Sequence, residues 1–152
     1  MAPQTRLRIS VVALIIDQGE VLLIDQTTPP EPDCWDLPGG GIEPHESLLE
    51  GLRREVFEET GVQQFQVDRL LTALDSFFPE PGNKQFHTIN IVYACSVEQR
   101  PITLHSQDPE VGSRGIQWLP IATLTEADCS SRCWRSLIAA GLIESNSELD
   151  LG

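Results

Sequence analysis

The chain has 152 residues and a formal net charge of -13, with ten Lys plus Arg, only one of them Lys, against 23 Asp plus Glu. That charge argues against electrostatic binding to a nucleic-acid backbone, and no apolar run of roughly 18 residues is present to span a membrane. The opening MAPQTRLRIS lacks an uninterrupted apolar core before a cleavage site, so a soluble, cytoplasmic chain forming one domain over residues 1–152 is expected.

Residues 8–16, RISVVALII, are a β-branched run long enough for a strand buried on both faces. Asp17-Gln18-Gly19-Glu20 turns it, and Val21-Leu22-Leu23-Ile24 returns as its hairpin partner. Prolines make residues 27–33 a loop, after which Trp35 and Leu37 lead into a glycine turn and a helix. Residues 67–74 read as a strand, and two prolines and a glycine predict a loop over residues 77–84. Residues 86–97 form the clearest later strand, with Ile89, Ile91 and Tyr93 pointing one way and Thr88, Asn90 and Val92 the other. Residues 101–114 are polar and loop-like, and residues 116–120 form a short strand ending in a turn. A C-terminal helix is expected over residues 127–143, with Leu137, Ile138 and Leu142 apolar, before an acidic tail from Glu144 that frays. Cys34, Cys95, Cys129 and Cys133 contain no C-x2-C pair, so buried reduced thiols are expected rather than zinc. These elements indicate an α/β (α+β) architecture and leave its topology open.

Residues 35–62, WDLPGGGIEPHESLLEGLRREVFEETGV, organise the rest. Ser47 and Glu50 make a capping-box start, and Gly61 is a left-handed stop. On the helix between them, Glu55, Glu58 and Glu59 fall within about 100° of one another. An apolar stripe of Leu48, Leu49, Leu52 and Val56 adjoins them. A solvated acidic face is the plain explanation, but it carries costs. Glu55 and Glu59 are like charges at i,i+4, and all three lie at the negative end of the helix dipole, where an anion loses about 0.3–1 kcal/mol. Arg54, four residues from both Glu50 and Glu58, offsets part of this. A hard divalent cation such as Mg²⁺ or Mn²⁺, held by clustered carboxylates and a backbone carbonyl of the turn, would offset more.

Gly40, then Glu46, then Arg54-Glu55-Val56-Phe57-Glu58-Glu59-Thr60-Gly61-Val62 resembles a complete Nudix box over residues 40–62, and Leu37-Pro38-Gly39-Gly40 resembles its lead-in. His45 stands where Gly is frequent and Gly51 where Ala is usual, and neither position carries the chemistry. The resemblance implies a mixed β-sheet sandwiched between helices, with the box helix facing a cleft. It further implies an Mg²⁺-dependent (or Mn²⁺-dependent) pyrophosphohydrolase acting on a small nucleoside diphosphate derivative. Glu55, Glu58, Glu59 and the carbonyl of Gly39 would be metal ligands, Arg54 would orient the carboxylates, and Gly40, Glu46 and Gly61 would support the motif. In some members the general base is a box Glu, here Glu55 or Glu58, and in others a Glu of a later loop, where Glu110 stands. Metal-bound carboxylates are poor proton acceptors because the cation depresses their pKa, which favours Glu110.

The substrate is less defined. Phe77, Phe78, Phe86, His87 and Tyr93 could each present a stacking face, and Phe78 and His87 are the candidates for substrate binding. Nucleoside triphosphates (including oxidised ones), ADP-ribose and dinucleoside polyphosphates all stay open, and a homodimer is compatible with the sequence. Two other readings stand beside the hydrolase. A silent nucleotide sensor on the same fold usually loses box glutamates, and none is lost here. An isoprenoid-diphosphate isomerase would need a reactive Cys and an acid in a larger domain, for which Cys34 or Cys95 is weak support.

Overall fold

The computed structural model describes residues 1–145. Its spine is β1 (Gln4–Asp17), whose apolar run splits by alternation between two cores. Val11, Ala13 and Ile15 face one side and Val12 and Leu14 the other, each at most 1% exposed. Burial on both faces, as expected for this run, stabilises by about 1.5–3 kcal/mol per large aliphatic side chain.

The turn after β1 has positive φ at Gln18 (49°) and Gly19 (77°). That suits a two-residue hairpin, and β2 (Glu20–Gln26) returns with Asp17 opposite Glu20. Two short strands follow. β3 (Cys34–Asp36) pairs with β2, and β4 (Gly39–Gly41) pairs antiparallel with β1 through Val12–Gly39 and Ser10–Gly41.

Next comes helix α1 (Leu48–Thr60). Ser47 Oγ accepts the Glu50 N–H at 3.1 Å, and Gly61 closes the helix at φ 80°. Leu52 and Val56 are fully buried, but Leu48 and Leu49 are 36% and 46% exposed, which corrects the expected stripe. The buried face runs instead through Gly51, Leu52, Val56, Glu59 and Thr60, so one of the carboxylates lies on it.

Strands β5 (Gln66–Glu80) and β6 (Lys84–Ser96) form a long antiparallel hairpin, and β6 lies parallel to β1 from Gln4–Lys84 to Ile15–Cys95. The loop expected over 77–84 is therefore corrected: pairing continues through Phe78–Phe86 to Glu80–Lys84, and only three residues turn. Pro79 is tolerated because β5 is an edge strand, where a missing N–H costs no ladder bond. The loop expected over 101–114 also ends earlier, because β7 (Val111–Pro120) joins β2 at Val111 across a bulge.

Helix α2 (Ser131–Ala139) is shorter than the 127–143 expected. Thr125 and Asp128 cap a separate 3₁₀ turn before it, and Ser130 Oγ accepts the Cys133 N–H to start the helix anew. The chain thereafter leaves the helix through Gly141 at φ 72°. The acidic tail expected to fray begins at Glu144 and lies, beyond residue 145, outside the described residues.

The result is a mixed seven-stranded sheet between two helices, as the resemblance implies. One core, under α1, gathers Leu52, Val56, Phe65 and Tyr93; the other, under α2, gathers Trp35, Leu37, Val92 and Leu137. All four cysteines are buried and unbridged. Among the described residues no helix is long and apolar enough to cross a membrane.

Candidate active site

The lead-in glycines bring α1 against the sheet. Gly39 sits at φ 148°, and a Cβ there would collide with the backbone of Val11 and Val12. At Gly40 a Cβ would come within 2.6 Å of the Glu55 carboxylate. Without side chains at these positions, the α1 carboxylates reach the backbone of β4. Glu59 Oε1 accepts the Gly39 N–H at 2.7 Å, and its side chain is buried, the residue only 6% exposed. Burial pushes its carboxyl up to about 8, against the pull of the Gly39 N–H and the more distant Arg132 guanidinium, while Asp36 and Glu55 push the same way as burial. Burial also raises Glu55, and the adjacent Arg54 only partly opposes it.

Arg54 is a hub. Its Nε and Nη2 form a fork on Glu46 at 2.6 and 2.8 Å, Nη1 donates to Glu55 at 2.9 Å and Glu58 at 3.3 Å, and Nη2 also donates to the Gly41 carbonyl at 3.1 Å. The fork holds Glu46 well below the usual carboxylate range, at about 2, aided by the Glu43 N–H. Behind β4 a second network joins Asp36 to α2. Arg132 donates Nε and Nη2 to the two Asp36 oxygens at 2.9 Å each, Nη1 goes to Asn90 at 2.9 Å, and Ser130 Oγ donates to Asp36 at 2.6 Å.

A cavity of about 530 Å³ opens above these groups, within the range of small-molecule sites. It brings together Gly39, Gly40, Glu55, Glu59, Glu110, Phe78 and Phe86 from the sequence reading. Glu110 stands on a loop tied to β2 by Thr27 Oγ1, which donates to the Glu110 carbonyl at 2.8 Å, while the Glu110 N–H donates to Asp108 at 2.9 Å. Its carboxylate makes no hydrogen bond or ion pair among the described residues. Arg54, Glu46, Glu58 and Gly61 lie outside the lining. His87 does too: it stacks on Phe77 at 4.0 Å and meets Asp75 at 3.0 Å, away from the cavity. The sequence reading passed over Arg6, Arg8, Ser10, Asn90 and Arg132, which also line it. The signal for the first three was their i, i+2, i+4 spacing ahead of the apolar run of β1.

No three His, Cys, Asp or Glu side chains among the described residues are gathered so as to hold a metal ion. Glu55 and Glu59 line the cavity and Glu58 does not, although Arg54 donates to both Glu55 and Glu58. Two carboxylates nevertheless fit Mg²⁺, which takes one or two from a protein and completes its shell with water and substrate phosphate. A carboxyl buried against its own ionisation is a donor that such a cation would relieve.

The sequence matches the NUDIX domain family over residues 5–136. The chain belongs to the NUDIX domain family. It is similar to the nucleoside triphosphatase NudI of Klebsiella pneumoniae, 26% identical over 149 residues that cover 91% of this chain and 99% of that protein. It also resembles an ADP-ribose pyrophosphatase of Methanocaldococcus jannaschii, 29% identical over 59% of this chain and 50% of that one. Nudix hydrolase 5 of Arabidopsis thaliana is 27% identical over 75% of this chain, which spans only 36% of that longer protein. Among solved structures, a MutT NUDIX hydrolase from Burkholderia pseudomallei superposes with a TM-score of 0.68 at 25% identity, over 87% of this chain and 96% of that one. The Nudix box of this chain is the strand, turn and helix that shape the cavity.

Proposed function

We propose that this Nudix hydrolase is an Mg²⁺-dependent (or Mn²⁺-dependent) pyrophosphohydrolase. Its substrate is a nucleoside diphosphate linked to a further group, of the nucleoside triphosphate or ADP-ribose type. The family acts on phosphorus-containing acid anhydrides, and the likeness to NudI over nearly the whole of both chains supports a nucleoside triphosphate. The observation that carries the reading is the buried Glu59 carboxylate, fixed by the Gly39 N–H beside Glu55 and opening on the cavity.

A divalent cation bound there would neutralise phosphoryl charge and acidify a bound water. The chain does the rest. Glu55 and Glu59 would hold the ion, and the Arg54 fork keeps the loop and helix in register through Glu46 and Gly41. Glu58, which accepts from Arg54 through one oxygen, would be a further ligand. Glu110, with its carboxylate unengaged, takes the proton as the water oxygen bonds to phosphorus and the bridging P–O bond breaks.

The test is hydrolysis of a panel of nucleoside triphosphates, ADP-ribose and dinucleoside polyphosphates with and without Mg²⁺, read as pyrophosphate or phosphate released from the triphosphates and as nucleotide products separated by chromatography for the others. Turnover that EDTA abolishes and Mg²⁺ or Mn²⁺ restores is expected. Full turnover in metal-free buffer would sink the reading, and binding without any turnover would make the chain a sensor.

A further inference from the structure

The floor of the cavity is made by three neighbouring strands whose pairing sets side chains out in rows. Arg6 lies opposite Phe86 and Phe86 opposite Phe78; Arg8 lies opposite Thr88 and Thr88 opposite Ser76; Ser10 lies opposite Asn90. All of these side chains line the cavity. Successive rows are two residues apart along β1 and β6, about 6.7 Å, so the first row is about 13 Å from the third.

The rows differ in chemistry. The first is aromatic: Phe78 and Phe86 stand 6.5 Å apart, and the Arg6 guanidinium lies 3.9 Å over the Phe86 ring while pairing with Glu80. The third abuts the box, because Ser10 also pairs with Gly41 of β4. The second holds Arg8. Of the three cavity guanidiniums, Arg6 pairs with Glu80 and Arg132 with Asp36, but Arg8 has no ion pair or hydrogen bond among the described residues. It lies on the backbone of Gly41, where an added Cβ would come within 2.8 Å of Nε. The Thr88 hydroxyl beside it is likewise without a partner. Glu55 feels its charge, but no carboxylate among the described residues lies within ion-pair distance of it, so its donors are open to an anion such as a phosphoryl group.

We infer that these rows are a substrate track, in which Arg8 binds phosphoryl oxygens between the box carboxylates and the first row, where the half-buried Phe78, backed by Phe86 under Arg6, stacks the base. This rests on the hydrolase reading for the direction of the track but concerns binding alone. The favoured ligand is a nucleoside carrying at least two phosphates, since one phosphoryl group cannot occupy both the second and third rows.

Equilibrium titration tests it without turnover. ADP, GDP, CDP and UDP, their monophosphates, and inorganic pyrophosphate are titrated in Ca²⁺ against the wild type, Arg8→Gln and Phe78→Leu. Arg8 is exposed and unpaired, so its substitution should leave the thermal midpoint in place. Arg8→Gln is expected to weaken the best-bound diphosphate and pyrophosphate at least tenfold, and to remove the gain in affinity from monophosphate to diphosphate. Phe78→Leu should weaken the nucleotides several-fold and leave pyrophosphate unchanged. An unaltered diphosphate-to-monophosphate ratio in Arg8→Gln would overturn the assignment, as would failure of every nucleoside diphosphate to bind the wild type. Binding that follows the expected pattern in a protein that hydrolyses none of the panel substrates would uphold the track and refute the hydrolase.

Discussion

A carboxyl that is 6% exposed, with a single backbone N–H on one oxygen and Glu55 nearby, is held neutral more easily than charged. The consequence for Glu59 has a definite sign. Its folded pKa of about 8 lies above the ordinary 4.5, so between those values the folded metal-free protein binds more protons than the unfolded chain. Stability from this group is fully present below about pH 4.5 and is lost as pH rises to about 8. In EDTA, the thermal midpoint of the wild type should therefore decline across that window relative to Glu59→Gln. Parallel profiles would show that the carboxyl is not buried in solution. The same substitution should slow Mg²⁺-dependent turnover by roughly 10²-fold or more, because a metal-held charge supplies several kcal/mol. Glu110→Gln should lower kcat by about 10²–10⁴ while Mg²⁺ affinity, read by isothermal titration, stays close to wild type. A drop in affinity rescued by excess metal would make Glu110 a ligand instead. The box glutamates were legible as chemistry because a solvated face of that spacing carries a cost and because they fill the Nudix box. Arg8 was not, since a lone arginine in a strand looks like any surface charge until its lack of a partner can be seen.

Helix α1 and the loop before it behave as one piece because Arg54 ties Glu46, Gly41, Glu55 and Glu58 together. The fork on Glu46 needs a planar donor, so Arg54→Lys should recover less than half of the loss seen in Arg54→Ala. Both should lower the thermal midpoint, and the Ala variant by several degrees. An unchanged midpoint would reduce the hub to a surface ion pair. At this scale the sequence was informative wherever one local signal decided the matter: Ser47 and Gly61 bound α1, and Gln18-Gly19 turns β1 into β2. It failed where pairing overrode composition. Phe77-Phe78-Pro79-Glu80 has the look of a loop, yet the edge position of β5 and the facing residues of β6 hold it extended. The helix expected over 127–143 lost its first turn because Thr125, Asp128 and Ser130 offered two successive caps rather than one.

At the scale of the molecule, the net charge of -13 opposes any phosphate ligand, and the cavity, lined by six acidic side chains and three arginines, needs a bound cation as well as Arg8 to receive one. The box end of that cavity could be located from the chain because its residues are neighbours in sequence. The far end could not, because it exists only once β1, β5 and β6 lie side by side. That seam has a kinetic consequence. The β1–β2 and β5–β6 hairpins close over short loops, whereas the parallel β1–β6 pairing brings residue 8 beside residue 88 and must bear the larger closure entropy. It should form late in folding and give way early under denaturant. In hydrogen exchange, the amides of residues 6–10 should open before those of the β5–β6 hairpin, and a bound nucleoside diphosphate should slow them most. The ligand would thus act as a clasp on the last seam of the sheet to be sewn.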